Sequence, residues 1–268
     1  MVITFLSDFG LQDDFVGTCH GVIKRIAPQA EIIDITHGIP PQHVLQGALV
    51  LCNTLPYMPE GVHLAVVDPG VGGQRRPLAL RTGDGRLLVG PDNGLLVPAA
   101  DENGGIESVH ELANPEYALD TVSRTFHGRD LFSPAAAHLA SGVALEELGP
   151  PVDPQALVRL EVPKADVGQN RIRATVLYVD RFGNTQLNLT RADLDQAQVL
   201  PGVRVELEFA LERYYAVAAR TFADARPGEV ILYEDAYRNI SIAINGGNAA
   251  ELFGVAPGQE VRIHLRTP

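Results

Sequence analysis

The hydrophobic pattern of this chain changes part-way along its length, and this change constrains the fold more than any other feature. Up to about residue 142, short apolar runs alternate with stretches of helical periodicity, starting with Val2–Leu6 and Asp14–Ala27. This alternation predicts parallel strands connected by helices, in a sheet covered on both faces. From residue 171 onward, short runs of alternating apolar and polar residues are separated by turns, which predicts a small barrel or sandwich of strands.

A proline-rich segment, residues 149–170, separates the two patterns, and we interpret it as the crossing between two domains. We therefore predict an α/β protein with an N-terminal α/β domain over residues 1–160, whose central sheet is mainly parallel, and a smaller C-terminal all-β barrel domain over residues 161–268. In the first domain the sequence also predicts strands at Glu31–Ile35 and Val62–Val67, helices at His43–Leu55 and Asp130–Ser141, and a hairpin of Pro77–Arg81 and Arg86–Gly90.

Charge and composition disfavour several classes of protein. With 33 acidic and 21 basic residues the net charge is −12, which argues against a general nucleic-acid-binding protein. No apolar run approaches the roughly 20 residues needed to cross a bilayer, and no basic leader precedes the first strand, so we expect no membrane partner and a cytoplasmic location. Cys19 and Cys52 lie singly within apolar helical patterns, which is typical of reduced core thiols. Histidines and carboxylates do not cluster at local metal-ligand spacing, so we expect no metal.

Polar residues that can carry chemistry follow the predicted strands of the first domain. The glycine-rich loop at residues 66–77 holds Asp68 and Arg75, and Asp8 follows the first strand. Because ligands bind at the carboxyl ends of strands in open α/β sheets, Asp8 and Asp68 are expected to lie near each other. His127, just before a predicted helix, is the histidine best placed for proton transfer. Each has a structural alternative: a turn for Asp8, an ion pair for Asp68 with Arg75, and a structural hydrogen bond for His127.

The second domain offers a further candidate site. Asp180, Phe182 and Asn184 place a carboxylate, an aromatic face and an amide between two predicted strands, which suits an adenine ring or an amino acid but also an ordinary hairpin. In the first domain Asp13 opens a predicted helix, where capping is the structural alternative. The chain has no Walker phosphate loop, no dinucleotide-binding glycine pattern and no serine hydrolase elbow.

Six motifs occur in order along the chain. They are Ser7-Asp8-Phe9-Gly10, Asp68-Pro69-Gly70-Val71-Gly72 with Arg75, Gly90-Pro91-Asp92-Asn93-Gly94, Phe126-His127-Gly128-Arg129-Asp130, Asp180-Arg181-Phe182-Gly183-Asn184 and Asn245-Gly246-Gly247-Asn248-Ala249-Ala250. Together, over essentially the whole chain, they resemble the S-adenosyl-L-methionine (SAM) hydroxide adenosyltransferase family, which is related to SAM-dependent fluorinases and chlorinases. The resemblance implies hydrolysis of SAM to adenosine and L-methionine without a cofactor. It also implies a homotrimer that binds substrate between the N-terminal domain of one subunit and the C-terminal domain of its neighbour.

The resemblance further implies roles for individual residues. The family's Asp-Arg-His triad falls on Asp68, Arg75 and His127, which would align a water with C5′ and help it to lose a proton, and Asp8 would hold the ribose diol. The other implied substrate contacts are Asp13 and Asp180 for the methionine ammonium, Phe126 and Phe182 as apolar walls, Asn184 for the adenine edge, and Gly128, Ala236 and Tyr237 beside them. Near Ala236 and Arg238 the sequence departs from the family pattern, in which a serine and a glycine are usual.

Two alternatives remain open. A non-catalytic SAM- or adenosine-binding protein would use the same binding residues without the reaction. The second alternative is a SAM-dependent halogenase, because the halogenases are related to the hydrolases. The resemblance disfavours it, since Asp68 and His127 are retained at positions where the halogenating enzymes differ. Their retention points to water as the nucleophile.

Overall fold

The computed structural model of the chain describes residues 1–265, which form two compact units that divide between Leu160 and Glu161. The first unit contains the strands β1 (Val2–Ser7), β2 (Glu31–Thr36), β3 (Gly61–Val66), β4 (Pro77–Thr82), β5 (Leu87–Pro91) and β6 (Ile106–Glu111), and the helices α1 (Phe15–Ile26), α2 (Val44–Thr54), α3 (Val97–Glu102) and α4 (Ser133–Ala140). Short 3-10 turns lie at Leu55–Tyr57, Pro115–Tyr117, Leu145–Leu148 and Pro154–Ala156, and a single π-type turn covers Gly128–Phe132.

These six strands form one sheet in the order β2-β1-β3-β5-β4-β6. The pairs β1–β2, β1–β3 and β3–β5 are parallel, whereas β4 is antiparallel to both β5 and β6. The predicted mainly parallel sheet and the predicted hairpin of β4 and β5 are therefore confirmed. The sequence analysis missed β6 and α3, because β6 does not alternate cleanly between buried and exposed residues and α3 is too short to show a helical period.

Both faces of this sheet are covered. Every residue of β3 is buried, and its side chains alternate between two cores. Val62, Leu64 and Val66 belong to a core shared with α1 and α4, whereas Ala65 belongs to the core shared with α2 and α3. This packing explains the apolar runs from which the parallel sheet was predicted. Cys19 is buried, a second cysteine in α2 is half-buried, and both are free thiols.

The second unit is a closed barrel of antiparallel and parallel strands. Its elements are β7 (Asp166–Val167), β8 (Arg171–Val179), β9 (Thr185–Thr190), β10 (Arg204–Phe209), β11 (Glu212–Ala218), β12 (Val230–Glu234), β13 (Asn239–Ile244) and β14 (Glu260–His264), with the helices α5 (Arg191–Gln196) and α6 (Ala249–Phe253) and a 3-10 turn at Phe222–Asp224. The order is β14-β10-β11-β12-β13-β9-β8-β7, and pairing of β14 with β8 closes the barrel. The predicted barrel is confirmed, with two short helices added to the all-β pattern. No described helix combines the length and the apolar composition required to span a bilayer.

The first part of the predicted crossing segment packs onto the first unit. The Arg76 Nη2 group donates to the Ala156 carbonyl at 2.6 Å, and the Val158 N–H donates to the Asp92 carboxylate at 2.9 Å. Asp92 also forms an ion pair with Arg76, with Nη2 and Oδ2 2.6 Å apart. The motif at residues 90–94 thus has a structural use in anchoring this segment.

Candidate active site

Asp68 and Arg75 form a buried ion pair within the loop that connects β3 to β4. Arg75 Nε lies 3.0 Å from each carboxylate oxygen of Asp68, and Arg75 Nη2 lies 2.5 Å from Oδ2. Only 9% of the arginine side chain and 6% of the aspartate side chain are exposed. The ion pair considered from the sequence is therefore present, and it holds the carboxylate in a fixed orientation.

Gly72 allows this loop to lie against the segment that carries His127. Its φ is +73°, and a Cβ at this position would lie 2.0 Å from the Arg124 carbonyl oxygen. A larger residue would therefore face both backbone strain and a clash with the neighbouring chain. The close approach brings the Asp68 loop and the His127 segment together.

His127 completes a hydrogen-bonded triad with Arg75 and Asp68. Its Nδ1 lies 2.7 Å from Arg75 Nη2. Because a guanidinium can only donate, Nδ1 must accept, and the proton of the neutral imidazole then lies on Nε2. Burial lowers the pKa of His127, and the positive charge of Arg75 lowers it further. A hydrogen bond with the Ser123 backbone opposes these effects only in part, so the ring is neutral near pH 7 and carries its N–H donor on Nε2.

The His127 segment is held by a π-type turn at the start of α4. The Ser133 N–H donates to the Gly128 carbonyl five residues earlier, so this turn is wider than an α-helical one. Within it Asp130 is fully buried and accepts hydrogen bonds from the Ser123 N–H at 2.8 Å and from Arg129. These bonds tie the loop before His127 to the helix. The sequence predicted a regular helix from Asp130, whereas the structure has a π-type turn at Gly128–Phe132 and an α-helix only from Ser133.

Asp8 lies at the end of β1, on the same sheet edge as Asp68. Its carboxylate accepts a hydrogen bond from the Gln42 N–H at 2.8 Å. Burial raises the pKa of Asp8, and the negative charge of Asp68 raises it further. β1 and β3 pair in parallel with Ser7 opposite Val66, so Asp8 and Asp68 both follow the carboxyl ends of neighbouring strands.

An aromatic cavity of about 500 Å³ lies beside this segment. Its walls include Phe9, Phe15 and Phe126, whose rings contact each other edge to face with centroids 5.2 to 6.1 Å apart. Gly128 is needed here, because a Cβ would lie 2.8 Å from the Phe9 ring. Asp13 is exposed and does not line this cavity.

The barrel contains a second, polar cavity of about 160 Å³. It is lined by Tyr178, Asp180, Asn184, Gln186, Tyr233, Asp235, Ala236, Tyr237 and Ser241. Asp180 accepts hydrogen bonds from the Phe182 and Asn184 N–H groups and from the Asn184 side chain, at 2.7 to 2.9 Å. Asp180 therefore stabilises the turn between β8 and β9, as the hairpin alternative expects, and it also borders this cavity. Phe182 is 69% exposed and is not part of the lining.

The sequence analysis did not single out Asp235, which repeats the geometry of Asp180. Its carboxylate accepts hydrogen bonds from the N–H groups two and four residues later, at 2.8 and 3.1 Å, and from Gln186 and Ser241. Both turns read Asp-x-aromatic-x-Asn, and the residue before the asparagine has a positive φ in each, 82° at Gly183 and 64° at Arg238. The departure from the family pattern at Arg238 therefore puts an arginine where the equivalent turn has glycine. The recurrence in the sequence is the signal that could have identified Asp235.

Both units match domains of one known protein family. Residues 3–149 match the SAM hydroxide adenosyltransferase N-terminal domain, and residues 174–262 match the C-terminal domain of the same family. The chain belongs to the SAM hydroxide adenosyltransferase family. It is 49% identical over 261 residues to an (R)-S-adenosyl-L-methionine hydrolase of Salinispora arenicola, and the match covers 97% of each chain.

More distant similarity includes halogenating enzymes. A fluorinase of an Actinoplanes species is 28% identical over 291 residues, covering 98% of this chain and 97% of the fluorinase. Among solved structures, an uncharacterised conserved protein of Thermotoga maritima superposes with a TM-score of 0.90 at 35% identity, covering 98% of this chain and all of that one. The family is thus shown along the whole chain, and the roles of individual residues stay predictions.

Proposed function

We propose that this protein hydrolyses SAM to adenosine and L-methionine. The observation that carries the proposal is the triad: Asp68, Arg75 and His127 form one hydrogen-bonded unit at the end of the parallel strands. Support comes from the hydrolase of Salinispora arenicola, which is nearly half identical over almost the full chain. A binding protein without activity would share the substrate contacts, and the product assay described below separates it from a hydrolase.

The proposed reaction is a direct displacement at C5′. The sulfonium makes methionine a neutral leaving group, so the protein has to align a water with the C5′–S bond and take one proton from it. The water oxygen forms a bond to C5′ while the C5′–S electron pair passes to sulfur. Asp68 accepts the proton and later passes it to solvent. Arg75 keeps the carboxylate in place, and His127 orients the water through its Nε2–H.

For substrate binding, we propose the roles that the resemblance implies. Asp8, with a pKa raised by burial, is proposed to accept hydrogen bonds from the ribose hydroxyls. Asp13 and Asp180 are proposed for the methionine ammonium, with Phe126, Gly128 and Phe182 forming apolar walls and Asn184, Ala236 and Tyr237 contacting the remainder of the substrate. The three hydrogen bonds that Asp180 already accepts leave one lone pair of Oδ2 for a ligand.

For assembly and location, we propose a cytoplasmic homotrimer with inter-subunit active sites. The support is the family resemblance, together with the distribution of candidate residues over both units. Light scattering should give three times the 28.8 kDa mass of the chain. Inactive Asp68→Asn protein mixed with inactive Asn184→Ala protein should regain activity after subunit exchange. Hybrids that exchange but stay inactive would rule out a shared site.

The activity itself is tested by incubating the purified protein with SAM and separating the products by liquid chromatography. Adenosine and L-methionine in equal amounts, unchanged by added chloride or fluoride, are expected. A 5′-halogenated adenosine formed only with halide would identify a halogenase instead. Tight binding of SAM by calorimetry without any product would identify a binding protein.

A further inference from the structure

Two histidines and an aspartate converge in the first unit, outside the triad. His20 lies on α1, Asp34 lies on β2, and His37 follows β2 directly. The Nε2 atoms of His20 and His37 lie 2.9 and 3.1 Å from the same oxygen, Asp34 Oδ1. All three ligand atoms lie within 4.8 Å of one another. His20 is 14 positions from Asp34 in sequence, so the fold brings it to the pair that Asp34 forms with His37.

His37 is the unusual member of this cluster. Only 2% of its side chain is exposed, and its Nδ1 lies 2.7 Å from Ser7 Oγ. Its Nε2 is close to Asp34, but the two atoms are not aligned as a hydrogen bond, and no other atom in residues 1–265 is a partner for this nitrogen. A buried polar atom whose neighbouring carboxylate is misaligned for a hydrogen bond is costly, so an Nε2 that points into a group of potential ligands calls for an explanation.

We propose that His20, Asp34 and His37 form a binding site for a divalent transition-metal ion of the zinc type. Two imidazole nitrogens and one carboxylate are a common ligand set for such ions, with a fourth position left for water, whereas Mg²⁺ and Ca²⁺ prefer oxygen ligands. Metal–ligand distances of about 2.0–2.2 Å place tetrahedral ligands roughly 3.3–3.5 Å apart. The observed separations of 2.9 and 3.1 Å between Asp34 Oδ1 and the two nitrogens are a few tenths of an ångström shorter than this, and the two nitrogens lie within 4.8 Å of each other.

The surroundings of His37 fit this role. With its proton on Nδ1 donated to Ser7 Oγ, the ring presents the Nε2 lone pair to the ion, and the serine fixes the tautomer as outer-shell partners of metal ligands do. The side chain of Asp34 is 41% exposed, so an ion can enter from solvent. A bound ion would connect α1 with the end of β2, and through Ser7 with the strand that carries Asp8. It would stabilise this part of the fold and take no part in the displacement at C5′.

The test is Zn²⁺ binding to the untagged, full-length protein after treatment with a chelator. We expect one Zn²⁺ per chain by competition with a chromophoric chelator, a higher melting temperature with Zn²⁺, and the visible absorption of tetrahedral Co²⁺ when Co²⁺ is added instead. His20→Gln and Asp34→Asn should each weaken Zn²⁺ binding at least tenfold, as loss of groups in a metal site does.

The matched control is His264→Gln, because His264 Nε2 also lies 2.8 Å from a carboxylate, that of Glu208, without a second histidine. This variant should bind Zn²⁺ like the unaltered protein. Failure of the unaltered protein to bind Zn²⁺, or binding that persists in His20→Gln and Asp34→Asn, would overturn the proposal and leave a histidine–aspartate ion pair. If either variant fails to fold, the Co²⁺ spectrum of the unaltered protein decides, because six-coordinate surface-bound Co²⁺ lacks the intense tetrahedral bands.

Discussion

The tautomer of His127 predicts how much activity is lost when a substitution keeps only one of the two hydrogen bonds of the ring. In the structure His127 accepts from Arg75 through Nδ1, at 2.7 Å, and presents Nε2–H as a donor. We therefore expect His127 to act by orienting the water, because its ring lone pair already accepts from Arg75. Asparagine can place its oxygen near Nδ1 and keep the bond from Arg75, whereas glutamine can place its amide N–H near Nε2 and keep the donor.

The expected losses follow from the bonds that each variant removes. A neutral hydrogen bond is worth about 1 kcal/mol and a bond from a charged donor about 1.5–3 kcal/mol. His127→Ala loses both, together about 2.5–4 kcal/mol, which corresponds to roughly 70- to 900-fold in kcat/KM. His127→Asn loses only the donor and should fall by about fivefold, and His127→Gln loses only the bond from Arg75 and should fall by roughly 10- to 100-fold.

The assay is adenosine release from SAM at saturating and subsaturating substrate, with thermal unfolding measured for each variant as a control for folding. An amide cannot accept a proton, so a general base at this position would give a different result: all three variants would be equally inactive, with losses of about 100- to 10,000-fold. Equal inactivity of the asparagine, glutamine and alanine variants in folded protein would refute the reasoning from the tautomer.

Four other expectations can be checked independently. Asp68→Asn and Arg75→Ala should each lower adenosine release by roughly 100-fold or more in folded protein, and near-normal release would remove the residue from the mechanism. In H₂¹⁸O the label should appear in the 5′-hydroxyl of adenosine, and a substrate made chiral with deuterium at C5′ should give inverted product; retention would indicate a covalent intermediate. Gly72→Ala, which meets a backbone oxygen at 2.0 Å, should lower the free energy of unfolding by more than Gly85→Ala, where φ is +90° but nothing lies within 4 Å. Equal costs in denaturant titrations would contradict the close approach. Burial lowers the pKa of His63 to about 4, so the unfolded chain binds the extra proton below pH 6.5 and stability should fall by about 2 kcal/mol from pH 7 to pH 5. His63→Leu should remove that part of the pH dependence, and an unchanged slope would show that other groups cause it.

Much of the fold could be predicted from the sequence because its strands are buried in regular ways. In the parallel sheet β3 is buried on both faces and is apolar apart from His63. In the barrel, β10 alternates between buried residues and residues that are exposed or half-buried. The missed elements, β6 and α3, are formed by pairing and packing with distant residues rather than by a local period. Local pattern carries no information about such contacts.

The candidate site was predicted in part for a related reason. Asp68, Arg75 and His127 stand on two loops between regular elements, where a polar residue has no apolar pattern to maintain. The close approach of Gly72 to Arg124 brings these two loops together. The tautomer of His127 depends on a contact across 52 positions and could not be read from the sequence. Asp235 could have been found from the repeated Asp-x-aromatic-x-Asn turn, since that pattern is local.

The π-type turn at Gly128–Phe132 has a consequence for how this site can evolve. A regular helical turn holds one residue fewer, and each residue of a helix turns the chain by roughly 100°. Deletion of a single residue from this turn can therefore be absorbed by closing the wide turn to a regular one, which covers about the same rotation of the chain and keeps His127 on the same side of α4. A lineage can thus lose or regain one residue here while the histidine stays beside Arg75. When relatives are aligned, a one-residue gap within these five residues is therefore no sign that the triad is lost, and the identity of the residue aligned with His127 is what decides.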